Sequence, residues 1–413
     1  MPPGRDKENR RRFGCFTADL KALVAWLKKC GVTTVVLEAT GNYWIVLYDL
    51  LEAEGLDPVV VNPRYAKNMT GKKSAMSDCQ WMQKLHTYGL FANSFRPGEE
   101  IRPWRTYLRQ RETLVIAASQ AIQHMHKALV EMNVQLARVL SDISGETGLR
   151  IIDAILGGER DAQTLARLKD ARVHASQREI ALALQGHWKE DPLFVREQAR
   201  LSLAHCQEQI DQCEQRMQQQ MRSLKSRYPQ EEPPPSEASA SARQPATPFD
   251  LSGELKRIAG VDLTRIDGVG SLTAQIVLSE IGPDVSKWAT EKRFASWLGL
   301  CPDHKISGGK ILSRSTRRVV NRARNALRMA AYSLERSQSA LGAKYRRLKG
   351  KLGAPKAIIA MAHHLARLIW RMLRYGAEYV DKGMAAYETK CRAQRMKWLE
   401  KQARELNMKL IAA

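Results

Sequence analysis

Hydrophobic residues in the first hundred positions follow two patterns, helical spacing and short continuous runs. Helical spacing predicts helices over residues 17–30, 43–54 and 77–91. Apolar, β-branched runs over 33–38 and 58–62 predict strands. A strand, a helix and a strand within roughly 30 residues form a βαβ unit, so we expect the two strands to be parallel. Because both runs are continuous rather than alternating, we expect both faces of the sheet to be covered.

Two longer stretches place apolar residues at alternating steps of four and three. In the first, ten of eleven stepped positions between 104 and 139 are apolar, over roughly five heptads. The second series runs from Leu203 to Tyr228 and includes Cys206 and Cys213. Both patterns are typical of a coiled-coil seam, and the seams either pair antiparallel or assemble protomers. Packing explains the two cysteines on the seam better than metal binding does.

Composition separates the remaining regions. Residues 229–248 contain six prolines and no aliphatic side chain larger than alanine, which predicts a flexible linker. The fold class that we predict is α/β plus α. Its parts are an α/β domain over residues 1–97, a helical coiled-coil region over 98–228, the linker over 229–250, a mostly helical domain over 251–383 and a charged helix over 384–413.

The chain is strongly basic. It has 66 Lys and Arg against 43 Asp and Glu, a formal net charge of +23. This excess favours a polyanionic partner, most often nucleic acid, with an anionic lipid surface as the alternative. Without an apolar run of about 18 residues, a signal peptide or a lipidation motif, we expect a soluble, intracellular protein. Seven scattered cysteines without a CxxC pair argue against a disulfide framework and a zinc site.

The positive charge is concentrated between Cys301 and Lys351. This segment holds 14 Lys and Arg, and its acidic residues are Asp303 and Glu335. A solvated helix face normally mixes both signs, so this one indicates contact with nucleic acid. We expect six arginines to lie on a single helix: Arg314, Arg317, Arg318, Arg322, Arg324 and Arg328.

Two glycine-containing turns lie in the same half of the chain. Gly268 and Gly270 open a predicted helix, where backbone N–H groups and the helix dipole suit a phosphate. The turn resembles the helix-hairpin-helix turn that grips a DNA backbone; a tight turn between packed helices is the alternative. Ser307 precedes two glycines and is flanked by Lys305 and Lys310. It is a candidate nucleophile beside bound phosphate, or simply a serine in a turn.

Two acidic residues form a third candidate site. Glu38 ends the first predicted strand, and Asp78 begins a helix after a basic loop that contains Lys72 and Lys73. Carboxylates at the carboxyl edge of a parallel sheet hold magnesium ions on a phosphate in many nucleases. Acids at sheet edges are also commonly solvated, so two of them establish little by themselves.

Six motifs occur in a fixed order along the chain. They are LEATGNYW at 37–44, VNPRYAK at 61–67, GKKSAMSDCQW at 71–81, DGVG at 267–270, LGLCP at 298–302 and ISGG at 306–309. This order resembles the DEDD transposases of the insertion sequence 110 family, especially its insertion sequence 1111 branch. The pilin-gene invertases belong to the same group, and the likeness extends from Phe13 to about Gly383.

The resemblance implies a RuvC-like, RNase H-type domain, a coiled-coil insertion and a transposase domain with the helix-hairpin-helix-like turn. In this family four acids bind Mg²⁺, and a serine attacks DNA to form a covalent phosphoserine link. Glu38 matches the second acid, Asp78 the fourth and Ser307 the nucleophile. The implied partners are double-stranded DNA at the element ends and target, a structured bridge RNA, and further copies of the chain in a dimer or tetramer. The implied location is the bacterial cytoplasm, at the nucleoid.

Two departures from the family pattern affect the acids. Ala75 occupies the position of the third acid. The first acid belongs to an opening strand with a Gly-x-Asp pattern that we do not find, since Asp6 lies in an unsuitable context and Phe13 begins what should be the second strand. We therefore expect a late start codon or a decayed reading frame, a truncated RuvC-like domain and a catalytically silent chain.

Three functions are consistent with these residues. The first is a transposase or site-specific recombinase that uses Ser307 and a magnesium–carboxylate site with an RNA guide. The second is a non-catalytic remnant that still binds nucleic acid. The third, a junction nuclease that works by metal-activated water alone, is disfavoured because it gives Ser307 no role.

Overall fold

The computed structural model describes residues 4–5, 7–8, 10–63, 75–91, 93–227, 249–313, 315–317, 319–381 and 383–408. The chain divides into two compact units, Met1–Arg96 and Pro97–Ala413. No helix within the described ranges is long and apolar enough to cross a membrane.

The first unit contains the predicted βαβ arrangement. Its elements are α1 (Thr17–Lys29), β1 (Thr34–Glu38), α2 (Trp44–Ala53), β2 (Asp57–Val61) and α3 (Ala75–Thr87). The two strands pair in parallel, with Thr34 opposite Asp57 and Glu38 opposite Val61. The prediction of parallel strands is therefore confirmed.

The core of this unit lies between the helices and the sheet. Val24 and Leu27 of α1 pack with Leu37 of β1 and Leu51 of α2, and all four are buried. The expected strand at Phe13 is wrong. Phe13 lies in irregular backbone before α1, where its ring packs on Trp26 with the ring centroids 5.5 Å apart.

The second unit begins with two long helices joined by shorter ones. The elements are α4 (Arg102–Glu131), α5 (Leu136–Val139), α6 (Glu146–Leu156), α7 (Ala162–Arg167), α8 (Gln177–Ala183) and α9 (Glu190–Ser223). Helices α4 and α9 run antiparallel. Arg111 Nε donates to Glu214 Oε1 over 2.8 Å, and Gln220 Nε2 donates to the Glu100 carbonyl over 3.0 Å.

The two apolar seams pack against each other within one chain. Ala118 and Met125 of α4 share a buried cluster with Ala199, Leu203 and Cys206 of α9. This is the first of the two arrangements that the pattern left open. The burial of Cys206 agrees with packing rather than metal binding.

The first seam does not continue as one helix to residue 139. Helix α4 ends at Glu131, and Asn133 adopts a left-handed φ of 57°. After this turn, Leu136 lies in α5 and packs into a separate cluster with Ile151 and Leu165. A single long helix and a helix broken at Asn133 would both bury Leu136, so the apolar spacing alone could not distinguish the two.

In the described part of residues 249–408, the regular elements are helices and one hairpin. The α-helices and strands are α10 (Leu251–Ala259), α11 (Ser271–Ile281), α12 (Glu291–Trp297), β3 (Lys305–Ser307), β4 (Lys310–Ser313), α13 (Arg322–Ser333), α14 (Ala340–Leu352), α15 (Ala354–Tyr375) and α16 (Gly383–Glu405). Helix α15 runs through the core and buries Met361, Leu365 and Ile369 completely. The mostly helical prediction for this region is confirmed.

The predicted linker overlaps residues 228–248, which lie outside the described residues. Hydrogen bonds connect the residues just before this stretch to the helix that follows it. The Arg227 N–H donates to the Arg257 carbonyl over 2.9 Å, and the Arg257 guanidinium donates to the carbonyls of Leu224 and Met221 over 2.7 Å. The long helices and the C-terminal helices therefore form one compact unit.

Candidate nucleic-acid interface

Glu38 lies at the carboxyl end of β1, the position that the sequence predicts. Its side chain is half-buried, and its Oε1 accepts a hydrogen bond from Thr40 Oγ1 over 2.9 Å. It stands opposite Val61, the last residue of β2. The carboxylate is thus held at the edge where parallel strands commonly present functional side chains.

Asp78 lies in the first turn of α3 and is exposed. At the other end of this helix, His86 Nε2 and Thr34 Oγ1 share a hydrogen bond of 2.7 Å, which joins the end of α3 to the start of β1. Asp78 comes one helical turn before Met82, which is buried. The convergence of Asp78 and Glu38 on one metal site stays a prediction.

These two acids do not make a complete metal site. Across the described ranges, no group of three or more His, Cys, Asp or Glu side chains is close enough to hold a metal ion. Ala75 has no side-chain oxygen to offer, and Lys72 and Lys73 lie outside the described residues. The donor set in the described chain thus does not fit a site built from four carboxylates.

Ser307 lies at the tip of the β3–β4 hairpin. Its partner across the hairpin is Lys310, and the two residues between them, Gly308 and Gly309, have φ of 54° and 75°. Two left-handed residues in succession make the tight turn that twists with the strands and that strongly favours glycine. Ser307 and Lys310 lie on one face of the hairpin and are both exposed. Lys305 pairs in the same strand, and its side chain lies outside the described part.

The Ser307 hydroxyl is accessible and makes no hydrogen bond with another described residue. Its cross-strand neighbour supplies a positive charge, which suits a phosphate group near the serine oxygen. Behind this face, the hairpin exposes apolar side chains. Ile306 is 62% exposed and Ile311 43% exposed.

The two glycines of the Gly268–Gly270 turn differ in their surroundings: Gly268 is packed against α13, and Gly270 has open space beside it. Gly268 has φ of 83°, and a Cβ there would approach the Ala330 carbonyl of α13 to 2.7 Å. The tight-turn explanation therefore accounts for Gly268. Gly270 precedes the first residue of α11 and has open space around it, so the first amides of this helix remain candidates for a phosphate.

The prediction of one arginine-bearing helix is wrong. Helix α13 begins at Arg322, where the Asn321 side chain accepts from the Arg324 N–H over 3.0 Å. Arg317 precedes the helix in irregular backbone, and Arg314 and Arg318 lie outside the described residues. An Asn side chain competes for backbone N–H groups and so sets the start of the helix at this point.

Two of these arginines also have protein partners. Arg322 Nε lies 2.7 Å from Glu112 Oε2 of α4. The Arg324 guanidinium donates to Thr316 Oγ1 and to the Arg317 carbonyl, over 3.2 and 3.1 Å. Burial lowers the pKa of Arg324, and nearby Arg328 adds to this. The charge count within 301–351 missed Glu112 because it lies some two hundred positions earlier in the sequence.

A second basic group, which the sequence reading missed, surrounds Glu291 at the start of α12. Arg367 Nε donates to Glu291 Oε1 over 2.7 Å, and Arg371 Nη2 donates to the same oxygen over 3.0 Å. Burial raises the pKa of Glu291, but hydrogen bonds from Arg371 and Arg367 outweigh it and lower the pKa overall. The sequence signal was available, since Arg367 and Arg371 are one turn apart on the same helix.

A buried acid joins the long helices to the C-terminal ones. Glu280 of α11 is 5% exposed, and its carboxylate accepts from Arg105 Nε over 3.0 Å and Arg109 Nε over 2.9 Å. Burial lowers the pKa of Arg105, and the charge of Glu280 partly offsets this. This group fixes α4 beside α11.

Comparison with known proteins gives two family matches. Residues 2–134, which include Glu38 and Asp78, match a family model named DEDD_Tnp_IS110 and described as a transposase. Residues 262–346, which include Ser307 and the Gly268–Gly270 turn, match the model described as the transposase IS116/IS110/IS902 family.

A curated relative agrees with these matches. It is named "Putative transposase y4pF/y4sB", comes from Sinorhizobium fredii (strain NBRC 101917 / NGR234) and is 33% identical over 125 residues. The similarity covers 28% of this chain and 32% of the relative, so the chain spans about a third of that protein's length.

Proposed function

The chain belongs to the IS110 family of transposases, and from this premise we propose that it cuts and rejoins the double-stranded DNA of an insertion sequence through Ser307. The observation that supports this most directly is the exposed Ser307 hydroxyl on a two-glycine hairpin, opposite Lys310, inside the matched transposase region. A tight hairpin holds the oxygen away from the protein surface, where a DNA phosphate can reach it.

The proposed step is a phosphoryl transfer. The Ser307 oxygen attacks a backbone phosphorus, a P–O bond to serine forms, and the P–O bond to one DNA strand end breaks. The serine proton leaves to solvent and the departing strand oxygen takes up a proton. Attack of a second strand end on the phosphoserine reverses the step and joins the DNA. Lys310 would stabilise charge on the phosphate oxygens.

We propose Glu38 and Asp78 as the magnesium ligands that this chain retains. With Ala75 at the third acid position, the ion would be weakly held and poorly placed, and misplacement removes much of the stabilisation of the attacking and leaving oxygens. The alternative function is therefore a catalytically inactive protein of the same family that still binds nucleic acid.

We also propose a structured bridge RNA and further copies of the chain as partners. The net charge of +23 suits an RNA as well as a DNA backbone. Residues for this contact are proposed at Lys72, Lys73, Lys305, Arg314, Arg317, Arg318 and Arg322, besides the Gly268–Gly270 turn. A second copy of the chain that packs on the exposed side chains of Ile306 and Ile311 would bury them.

The nucleophile is tested by trapping its covalent product. We expect Ala75→Asp, assayed with and without a preceding Gly-x-Asp strand, to convert nicked element-end DNA into a protein–DNA adduct that survives denaturing electrophoresis. Adding Ser307→Ala should abolish the adduct and leave DNA binding unchanged, because only the attacking oxygen is lost.

Ser315→Ala is the matched control, since Ser315 is another exposed serine next to the same hairpin. An adduct that persists in Ser307→Ala would remove the nucleophile assignment. Efficient recombination by the unaltered chain would instead show that the acids are misassigned.

A further inference from the structure

Helices α12, α14 and α15 bring together more positive charge than the nearby carboxylate can balance. The group, which we name the α14–α15 cation cluster, consists of Lys344, Arg367 and Arg371. Glu291 takes hydrogen bonds from both arginines, Arg367 Nε over 2.7 Å and Arg371 Nη2 over 3.0 Å. The charge of Lys344, on the neighbouring helix α14, interacts with that of Arg367, so the group has three cations and one acid.

Lys344 is the member that this carboxylate does not satisfy. It is half-buried on α14 and makes no hydrogen bond or ion pair with another residue in the described ranges. Burial lowers its pKa, and the charge of Arg367 lowers it further. A partly buried ammonium with cationic neighbours is costly to keep unless an anion joins it.

The imidazole rings of His363 and His364 lie on the same helix as Arg367 and Arg371, and neither ring balances the positive charge of the cluster. Burial lowers the pKa of His364 to about 4, with Lys344 and Arg367 as further causes, and burial also lowers the pKa of His363. Both rings are thus neutral at pH 7, and each can still donate one hydrogen bond. The surroundings suit an anion with several acceptor oxygens, such as a phosphate group.

The cluster is open to solvent at one side. The Arg371 side chain is 54% exposed and that of Arg367 is 32% exposed. A structural ion pair explains why Glu291 holds these arginines in place. It does not explain the third cation, nor why the guanidinium forks remain accessible from outside.

The cluster also lies near the base of the hairpin that carries Ser307. Burial raises the pKa of Cys301, while the charges of Arg317 and Arg367 act on this thiol in the opposite direction. The Leu300 N–H also donates to the Ala295 carbonyl of α12 over 3.0 Å, one helical turn beyond Glu291, so the cluster lies near the residue before Cys301. The six residues from Cys301 to Ser307 span at most about 22 Å. Along DNA, this corresponds to about six base pairs or fewer.

We propose that the α14–α15 cation cluster binds a backbone phosphate of the DNA, a few nucleotides from the phosphate that Ser307 attacks. This inference rests on the proposed function. It adds a phosphate site that includes no residue of the Gly268–Gly270 turn or of the arginines at 314–322. Arg367 and Arg371 would offer paired N–H donors to the phosphate oxygens, and Lys344 a point charge.

The experiment measures how the affinity of the full chain for a short fluorescent DNA duplex falls with salt. Each phosphate contact contributes about −0.9 to the slope of log affinity against log salt. We expect Lys344→Gln to weaken binding and to make the slope shallower by about 0.9. Arg371→Gln, which changes a more exposed side chain, should have the same effect. Lys344→Arg keeps the positive charge and should keep the original slope.

Lys349→Gln is the matched control. Lys349 is on the same helix and its ammonium already binds Glu335, so the variant loses the same formal charge without losing the proposed contact. Its slope should equal that of the unaltered chain. Thermal melting of each variant checks that it is folded.

The outcomes separate this inference from the proposed function. One outcome is that the unaltered chain binds duplex DNA with a steep salt slope that Lys344→Gln, Arg371→Gln and Lys349→Gln all leave unchanged. In that case the cluster assignment is wrong and the proposed function stands. If the unaltered chain does not bind the duplex at all, the proposed function fails first. A last measurement compares melting temperatures with and without inorganic phosphate. If Lys344→Gln abolishes a phosphate-induced rise in melting temperature but leaves DNA binding unchanged, the site binds free phosphate and the inference is overturned.

Discussion

Arg196 is a cation with no solvent exposure and no hydrogen-bond partner for any of its three guanidinium nitrogens within the described residues. It lies on the buried face of α9, one turn from Ala199. Burial lowers its pKa to about 10, and the charge of nearby Arg160 contributes. A lone buried charge of this kind opposes folding rather than supporting it.

We therefore expect Arg196→Met, which keeps an unbranched and flexible side chain but removes the charge, to raise the free energy of unfolding by about 1 to 4 kcal/mol. The unfolded state holds the Arg196 proton more tightly than the folded state, so the penalty is complete at neutral pH and fades as pH rises past about 10. Urea unfolding of both proteins at neutral and alkaline pH measures this difference. Equal stability at neutral pH would mean that Arg196 has a partner. Arg172→Met, which removes a well-exposed arginine, is the control.

At the level of single residues, the sequence located the candidate atoms but not their partners. Glu38 at a strand end, Asp78 in a first helical turn and exposed Ser307 were predictable because local spacing determines each position. The pairs Arg322–Glu112 and Arg367–Glu291 join positions 76 or more residues apart. No local pattern encodes such contacts, since they depend on which helices become neighbours.

Among the elements, periodicity predicted the helices and strands well and their ends less well. The seam through position 139 ignored the turn at Asn133, and the arginine helix was extended backward past its Asn321 cap. In both cases, a single asparagine with a local backbone preference set the helix boundary, at the end of α4 and at the start of α13. The antiparallel pairing of α4 and α9 was one of two possibilities that the seam pattern allowed.

The joint between α4 and α11 is expected to depend on Glu280. Glu280→Gln leaves Arg105 and Arg109 beside a neutral partner in a mostly buried place, so we expect a loss of about 3 kcal/mol in unfolding free energy. Glu214→Gln breaks the more exposed pair with Arg111 and should cost under about 1 kcal/mol. The two midpoints of urea unfolding are the measurement, and equal losses would contradict a special role for Glu280.

For the whole molecule, the structure changes the reason for expecting assembly. The apolar seams that suggested an oligomer cover each other within one chain, whereas the hairpin exposes large apolar side chains beside Ser307. Ile306 and Ile311 form a cross-strand pair on the hairpin face opposite Ser307 and Lys310. A contact through this face is compatible with access of DNA to the serine.

We expect light scattering at micromolar concentration to give at least twice the mass of one chain, with or without RNA. Ile306→Ser together with Ile311→Ser should return the protein to the mass of one chain, because these substitutions remove the apolar contact and leave the turn glycines in place. Val115→Ser on the outer side of α4 is the control, since Val115 is 38% exposed and distant in sequence from the hairpin. A monomer in the unaltered protein would exclude assembly as a requirement.

The stretch from 228 to 248 connects two points that the folded chain already holds together. Arg227 bonds to Arg257, and the Arg222 guanidinium lies 5.6 Å from the centroid of the Phe249 ring. For such a connection, doubling the number of residues costs only about 0.6 kcal/mol in closure entropy. Natural selection can therefore lengthen, shorten or rewrite this stretch almost freely, and both family matches, 2–134 and 262–346, lie outside it. It is the natural position at which a lineage of this family could acquire an inserted domain, or an experimenter a reporter, while the two flanking helices stay in contact.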